Sequence, residues 1–215
     1  MRAASAAPRI INVSSRASFL PNAKLDLAEG SDNLQHVSKE YDTCQTPIDC
    51  PAYAASKLEQ LLFTKELHKR LGGADSRALV VALHPGLVAT ELFRYSTLLG
   101  PAGTLSIPAG AYDDPAAARA LNFWGFKTAS QGAQTSIYAA TSPELTSRRA
   151  GGRFLRDCAD ADDEAVLASS LLGLGYTDEA LSRALWRRAE QLSGAAFRPE
   201  PLLLKSEKSA TGSSS

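Results

Sequence analysis

Two short apolar runs on either side of a long helical stretch constrain the fold more than any other feature. Arg9–Val13 (RIINV) is short, β-branched and apolar, which is typical of a buried parallel strand, and Arg77–Leu83 (RALVVAL) has the same character. Between them, Pro51–Gly73 begins with a proline and ends with two glycines, which favour a helix start and a helix stop. Because parallel strands require a long crossover connection, the order strand, helix, strand predicts a βαβ unit and an α/β fold.

The helix predicted over Pro51–Gly73 carries two apolar stripes on roughly opposite sides. One stripe contains Leu58, Leu61 and Leu62, and the other contains Phe63, Leu67 and Leu71. Two stripes predict that one face packs on the sheet and the other on a second element or a second subunit. A homo-oligomer formed through this helix is therefore one expectation.

The remaining elements are predicted from periodicity and capping residues. We expect two helices, a last strand and an amphipathic helix, over Pro115–Phe123, Ser130–Ala140, Gly152–Cys158 and Thr177–Leu192. Ser130 is the predicted N-cap of the second of these helices. The apolar face of the amphipathic helix is predicted to contain Leu181, Leu185 and Leu192. Asp160, Asp162, Asp163 and Glu164 are interpreted as a solvated loop.

The domain is predicted to span residues 9–194, between an unstructured leader (1–8) and a disordered tail (195–215) that is rich in serine. Lys24–Pro51 is polar and without a clear period, so it is interpreted as a long loop. A buried parallel strand needs neighbours on both sides. Only about eight residues precede Arg9–Val13, so we expect further strands of the sheet to be missing upstream.

Composition excludes several classes of function. The chain has 23 basic and 23 acidic residues, and this balance argues against a nucleic-acid-binding protein. No spacing of Cys or His suggests a metal site, and no apolar run is long enough to span a bilayer. Free thiols are predicted for the three cysteines, although Cys44 and Cys50 could pair. With no signal-peptide pattern at the N-terminus, a cytoplasmic location is expected.

Tyr53 and Lys57, in the segment YAASK, are the first candidates for chemistry. Residues at i and i+4 lie on one face of a helix. A lysine ammonium beside a tyrosine favours the phenolate and lowers the pKa of the phenol, which allows the tyrosine to exchange a proton with a hydroxyl or carbonyl substrate. A Tyr and a Lys at this spacing are by themselves weak evidence for a catalytic site, since many helices contain this spacing by chance.

Two further segments follow the predicted strands and could complete a catalytic site with Tyr53 and Lys57. Ser14 and Ser15 follow the strand Arg9–Val13, and a serine there can donate a hydrogen bond to a substrate oxygen. The strand Arg77–Leu83 is followed by the turn His84–Thr90 (HPGLVAT). Ligands of open α/β sheets bind at the carboxyl ends of the strands. His84 itself is interpreted as a packing residue.

Together, NVSS (Asn12–Ser15), YAASK (Tyr53–Lys57) and HPGLVAT (His84–Thr90) resemble the short-chain dehydrogenase/reductase family. The resemblance implies the C-terminal part of a doubly wound, Rossmann-like parallel sheet. It implies catalytic roles for Ser15, Tyr53 and Lys57. It also implies that the last two, together with the turn residues Pro85, Gly86, Val88 and Thr90, contact the cofactor.

The segments SKLEQLLFTKELHKRL, QGAQTSIYAATSPEL and GGRFLRDC narrow the resemblance to the retinol-dehydrogenase-like branch. This implies an NAD(P)-dependent oxidoreductase, with NADP slightly favoured over NAD. Its substrate would be a retinoid-like, steroid-like or long-chain alcohol, or the corresponding carbonyl. Glu91–Phe126 is predicted to cover this substrate, and Phe123, Trp124 and Phe126 are candidates either for its pocket or for the core.

The sequence departs from the family pattern in two ways. The interval between Ser15 and Tyr53 is longer than usual, and the excess lies in the polar stretch Lys24–Pro51. The TGxxxGxG loop, which holds the pyrophosphate in the family, is absent from the sequence, as are the ribose-selecting position and an NNAG-type motif. An alternative prediction is therefore a catalytically inactive fragment that acts, if at all, by associating with a full-length partner.

Overall fold

A four-stranded sheet forms the centre of the computed structural model, which describes residues 7–21, 23, 25, 27, 50–90, 115–123, 125–147 and 149–196. The strands lie in the order β1 (Arg9–Val13), β2 (Leu79–His84), β3 (Phe154–Arg156) and β4 (Ala159–Asp160). The first three are parallel and β4 is antiparallel to β3. The described part of the chain is thus α/β with a mostly parallel sheet, as in part of a Rossmann-like fold, and the predicted fold class is confirmed.

Six α-helices accompany this sheet in the described ranges. They are α1 (Pro51–Arg70), α2 (Pro115–Phe123), α3 (Ala129–Thr141), α4 (Pro143–Ser147), α5 (Asp162–Leu172) and α6 (Glu179–Ser193). None of the helices described is both long and apolar enough to cross a membrane.

Strand β2 is buried at all six positions because helices cover both faces of the sheet. On one face, Val80 packs with Leu67 of α1 and with Leu71, the residue that follows the helix. On the other face, Leu79, Val81 and Leu83 form a cluster that α3 completes through Ala139 and α4 through Leu145. Successive strand residues point to opposite faces, so the continuous apolar run in the sequence corresponds to a strand covered on both sides.

Helix α6 packs on residues of both stripes of α1 within the same chain. Trp186 is only 5% exposed, and its ring stacks on Phe63 with centroids 5.4 Å apart. Leu181 and Leu185 pack against the cluster of Leu58 and Leu62. The sheet and α6 together therefore contact both stripes within this chain, and the homo-oligomer stays a prediction.

The amphipathic pattern of α6 was only partly correct. Leu192 is 59% exposed, whereas the predicted apolar face placed it inward. The buried anchor of this helix is Trp186, which the predicted face omitted. Leu192 is exposed because α1 contacts the earlier part of α6, so the final turn of α6 extends past the surface on which the helix packs.

Two further predictions about helix ends are corrected. The N-cap of α3 is Thr128, whose hydroxyl accepts from the Gln131 N–H while the Gln131 side chain accepts from the Thr128 N–H. This reciprocal pair outcompetes the predicted cap at Ser130. The acidic cluster is not a loop either, because Asp162, Asp163 and Glu164 form the first turn of α5, where the helix dipole stabilises negative charge.

The cysteine prediction is also corrected in part. Cys50, the N-cap residue of α1, is disulfide-bonded, and Cys158 is a free thiol. A prediction from cysteine number and compartment says nothing about which sulfurs the fold brings together.

Four predicted segments lie almost entirely outside the described residues: the loop over Lys24–Pro51, the terminal leader, the terminal tail, and residues 91–114.

Candidate active site

The carboxyl ends of β1 and β2 lie side by side and bring two predicted site segments together. Asn12 and Val13 pair in register with Ala82 and Leu83. The Ser14 N–H continues this pairing by donating to the Leu83 carbonyl at 2.7 Å. The serines that follow β1 and the turn that follows β2 therefore leave the sheet at the same edge, where open α/β sheets bind ligands.

The two adjacent serines have different partners. Ser14 is buried, and its hydroxyl donates to the backbone carbonyl of Lys57 at 2.7 Å. Ser15 is half-buried and accepts the Ala17 N–H at 3.2 Å, capping the short 3₁₀ helix Arg16–Phe19. Among the described residues, no acceptor is found for the Ser15 hydroxyl proton. The Ser14 hydroxyl thus joins the end of β1 to α1, whereas the Ser15 hydroxyl caps the 3₁₀ helix.

Tyr53 and Lys57 lie on one face of α1, as predicted. The Lys57 ammonium is 5.5 Å from the centroid of the Tyr53 ring. It donates to the carbonyl of Val13, the last residue of β1, at 3.3 Å, and lies 3.4 Å from Gln60 Oε1. Partial burial lowers the pKa of Lys57. The strand end therefore holds a cation beside the phenol, although no hydrogen bond joins Tyr53 to Ser15 among the described residues.

A second polar tie between β1 and α1 was missed from the sequence. The Asn12 amide donates to the Thr64 hydroxyl at 2.8 Å, and this hydroxyl donates to the Gln60 carbonyl at 2.7 Å. Thr64 is 1% exposed. An asparagine inside an apolar strand is a signal for such a tie, because a buried amide needs partners. With the bond from Ser14, this tie sets the position of α1 along β1.

The His84 side chain stabilises the turn that follows β2. Its ring is 6% exposed and stacks on Phe154, with centroids 5.5 Å apart, which confirms a packing role. Its Nδ1 accepts the Gly86 N–H at 3.0 Å. Burial lowers the pKa of His84 to about 4, so near neutral pH the ring is uncharged and Nδ1 is free to accept. Gly86 has φ +94°, a backbone conformation that favours glycine.

The other side of the turn pairs with the segment before α3. Val88 forms a parallel bridge with Lys127. The Lys127 N–H donates to the Leu87 carbonyl at 2.7 Å, and its carbonyl accepts the Ala89 N–H at 2.9 Å. The structure thus places Pro85, Gly86, Val88 and the half-buried Thr90 on one supported turn.

The aromatic candidates for a substrate pocket separate in the structure. Phe126 is 6% exposed and belongs to the core, whereas Phe123 at the end of α2 is 84% exposed. Trp124 and most of the predicted covering segment Glu91–Phe126 lie outside the described residues.

Comparison with known proteins adds an independent finding. No protein-family model matches the chain. Human retinol dehydrogenase 14 is 35% identical over 145 residues, covering 66% of this chain and 35% of that protein. Mouse polyprenol dehydrogenase is 35% identical over 144 residues, 67% of this chain and 36% of the relative. Human retinol dehydrogenase 13 is 31% identical over 214 residues, 93% of this chain and 50% of the relative. The matches thus cover between about a third and a half of these relatives.

Proposed function

We propose that this chain, which belongs to the retinol-dehydrogenase-like branch of the short-chain dehydrogenase/reductase family, carries the catalytic groups of an NAD(P)-dependent oxidoreductase that interconverts a hydrophobic alcohol and its carbonyl. The observation that carries the proposal is the Lys57 ammonium held 5.5 Å from the Tyr53 ring centroid by the end of β1. A general acid–base group of this kind is what alcohol–carbonyl exchange requires.

Each of three side chains has one role in the proposed mechanism. The Tyr53 phenolate takes the proton from the alcohol during oxidation, and the Tyr53 hydroxyl donates it to the carbonyl oxygen during reduction. The Lys57 ammonium stabilises the tyrosinate electrostatically, since an opposite charge favours the ionised form. Ser15 donates a hydrogen bond to the same substrate oxygen, the role that the family resemblance implies for it. No covalent intermediate is needed.

The turn Pro85–Thr90 fits the nicotinamide end of a dinucleotide. It lies at the carboxyl end of a parallel strand, and its path is held by the Gly86 bond to His84 and the bridge from Val88 to Lys127. We propose that Pro85, Gly86, Val88 and Thr90, with Tyr53 and Lys57, hold that end of the cofactor. When bound, the nicotinamide supplies or accepts the hydride. NADP is slightly favoured over NAD by the family resemblance.

The proposed substrate is an apolar alcohol or the corresponding carbonyl. The names of the relatives specify retinol and polyprenol, and both are long isoprenoid alcohols. Retinoid-like, steroid-like and long-chain alcohols are therefore the compounds to assay first.

Replacing Tyr53 by Phe tests the proposal. Since the chain covers about half of human retinol dehydrogenase 13, the assay enzyme is a chimaera in which this chain replaces the matching region of that relative. Tyr53→Phe is expected to lower kcat about 10²–10⁴-fold for retinol oxidation, the usual worth of a positioned acid–base group. Any loss of affinity for NADPH should be much smaller than the loss of kcat, because the other proposed cofactor contacts remain.

Tyr138→Phe is the matched control, because the Tyr138 hydroxyl lies 3.4 Å from Glu144 and is not part of the site. Its kcat should stay close to that of the parent. If Tyr53→Phe kept turnover within about tenfold of the parent, the assignment of the proton-transfer group would be wrong.

A second candidate is an inactive chain that associates with a full-length partner. The observation that favours it is the free edge of β1, which in the described ranges pairs with β2 alone. An unpaired strand edge can accept another strand. An active chimaera that loses turnover on Tyr53→Phe favours the enzyme, whereas an inactive, well-folded chimaera favours the second candidate.

A further inference from the structure

We propose that Lys127 is a positioning residue for the turn Pro85–Thr90, and that its ion pair with Asp157 fastens this turn to the β3–β4 hairpin. We call the Lys127–Asp157 pair the turn latch. Its relevance to the cofactor rests on the proposed function, whereas its effect on the turn does not.

The backbone N–H and carbonyl of Lys127 are both hydrogen-bonded to the turn. Its N–H donates to Leu87 and its carbonyl accepts from Ala89. These two bonds flank Val88 and form the bridge between the two segments. These backbone bonds therefore hold the Cα of Lys127, from which the side chain extends, next to the turn.

The stem of the Lys127 side chain lies directly on Gly86. A Cβ placed on Gly86 would be 2.9 Å from Lys127 Cδ and 3.0 Å from both Cε and Nζ. Contacts this short show that the stem occupies the space a side chain would need. Gly86 thus serves a second purpose beside its positive φ, because its missing side chain leaves room for the lysine.

The end of the Lys127 side chain reaches a different strand. Its ammonium donates to Asp157 Oδ1, at the turn between β3 and β4. Asp157 and the next residue, Cys158, both have positive φ, at 51° and 59°, and the Cys158 N–H donates to the Thr135 hydroxyl at 3.3 Å. The hydrogen bond from Lys127 is the main reason why the pKa of Asp157 is lowered. The carboxylate is thus presented by a hairpin that α3 also holds.

The neighbouring charges leave Lys127 as the principal partner of Asp157. Arg156 approaches Asp157 Oδ2 at 3.5 Å, but its guanidinium is also bound to Glu164 at 2.6 Å. The latch therefore joins the ends of β2 and β3 across the edge of the sheet where Ser15 and the turn lie. The turn is thereby connected, through Lys127, to the β3–β4 hairpin.

Amide hydrogen exchange of the full chain, followed by mass spectrometry, tests the latch without any cofactor. Lys127→Met keeps the stem over Gly86 and removes the charge. We expect exchange in a peptide covering Gly86–Ala89 to become about three- to tenfold faster, because a partly exposed ion pair contributes modestly. Asp157→Asn should give the same local change, and Lys127→Arg should restore most of the protection.

Lys69→Met is the matched control, since Lys69 forms an ion pair with Glu179 at 2.7 Å on the α1–α6 surface. It should leave the Gly86–Ala89 peptide unchanged. The latch is overturned if Lys127→Met and Asp157→Asn both exchange like the parent there, or if Lys69→Met has the same effect. Asp157→Asn decides the matter if the lysine variant does not fold.

The link to the cofactor is measured separately in the chimaera. Lys127→Met should raise the Kd for NADPH about three- to tenfold while kcat at saturation changes less than about threefold, and Lys127→Arg should reverse the loss. An unchanged Kd would overturn the link. If no variant, including the parent, binds NADPH, the proposed function fails, and the exchange result still decides whether the latch holds the turn.

Discussion

At the scale of single residues, polar side chains with dedicated partners determine the position of the site. Ser14 and Ser15 are adjacent and chemically identical, yet one is bound to the Lys57 carbonyl and the other caps a 3₁₀ helix. Asn12 reaches Thr64 in the same region. Because buried polar groups require partners, each of these bonds restricts how α1 can lie on β1, and so where the Tyr53–Lys57 pair meets the sheet edge.

Stability below neutral pH should depend on His84. Its pKa is lowered from 6.5 to about 4 by burial, so the unfolded state binds the proton first as the pH falls. The free energy of unfolding should therefore be fully retained above about pH 6.5 and decline as the pH falls towards about 4, by at most about 3 kcal/mol from this group. Urea unfolding of the parent and of His84→Asn at several pH values in this window measures the contribution.

The asparagine variant can still accept a hydrogen bond but cannot be protonated. Its loss of stability between these pH values should be smaller than that of the parent. His68→Asn tests a second site away from the turn: burial also lowers the pKa of His68, so this variant too should lose less stability than the parent as the pH falls. Equal pH dependence in the parent and His84→Asn would contradict the prediction.

At the scale of secondary-structure elements, the position of α1 depends on what packs on each of its sides. The sheet contacts Leu61, Leu67 and Leu71, while α6 covers Leu58, Leu62 and Phe63. The helix that bears Tyr53 and Lys57 is therefore enclosed between two surfaces rather than laid on one. Helix stability in proteins comes mostly from such packing.

Trp186 should be the residue on which the α1–α6 contact depends. Its ring stacks on Phe63, lies 4.4 Å from the Arg70 guanidinium carbon, and donates to Glu190 at 3.1 Å. Trp186→Ala is expected to lower the free energy of unfolding by about 3–5 kcal/mol, as is usual when a large aromatic core residue is truncated. Urea unfolding followed by circular dichroism measures the change.

Leu192→Ala is the control on the same helix. Leu192 is 59% exposed, so its loss should change the free energy of unfolding by no more than about 0.5 kcal/mol. Comparable losses for the two variants would show that α6 is held along its whole length and not through Trp186.

At the scale of the whole molecule, β1 lies at one edge of the described sheet. Strand β1 pairs with β2 on one side, and its residues Arg9–Asn12 are only half-buried, in contrast to the fully buried β2. Parallel sheets are normally covered and paired throughout. The site is thus built at the boundary of the described structure, beside the edge where a further strand could pair.

The purified 215-residue chain is expected to bind NADH and NADPH weakly and to show no dehydrogenase activity. Its sequence contains no TGxxxGxG loop to hold the pyrophosphate, and the few nicotinamide contacts must offset several kcal/mol of lost translational and rotational freedom. Fluorescence titration with both cofactors and an assay of retinol oxidation measure this. The chimaera, in which this chain replaces the matching half of human retinol dehydrogenase 13, is the positive control. Micromolar binding by the chain alone would contradict the expectation.

The sequence by itself determined the local elements and the candidate pair. The bounds of β1, the start of α1 at Pro51 and the shared face of Tyr53 and Lys57 follow from residue type and spacing within a few positions, because periodicity and capping act over short distances. The family resemblance assigned roles to these residues, and those roles stay predictions for the experiments above.

Only the tertiary structure decided which side chains are buried and which distant groups meet. Trp186 is buried and Leu192 exposed because α1 contacts only part of α6. The same holds for Lys127, which lies on Gly86 and binds Asp157 although nothing in the local sequence links these three positions. The physical reason is that burial and ion pairing depend on which surfaces the chain brings together, and a window of neighbouring residues contains no information about a partner far along the chain.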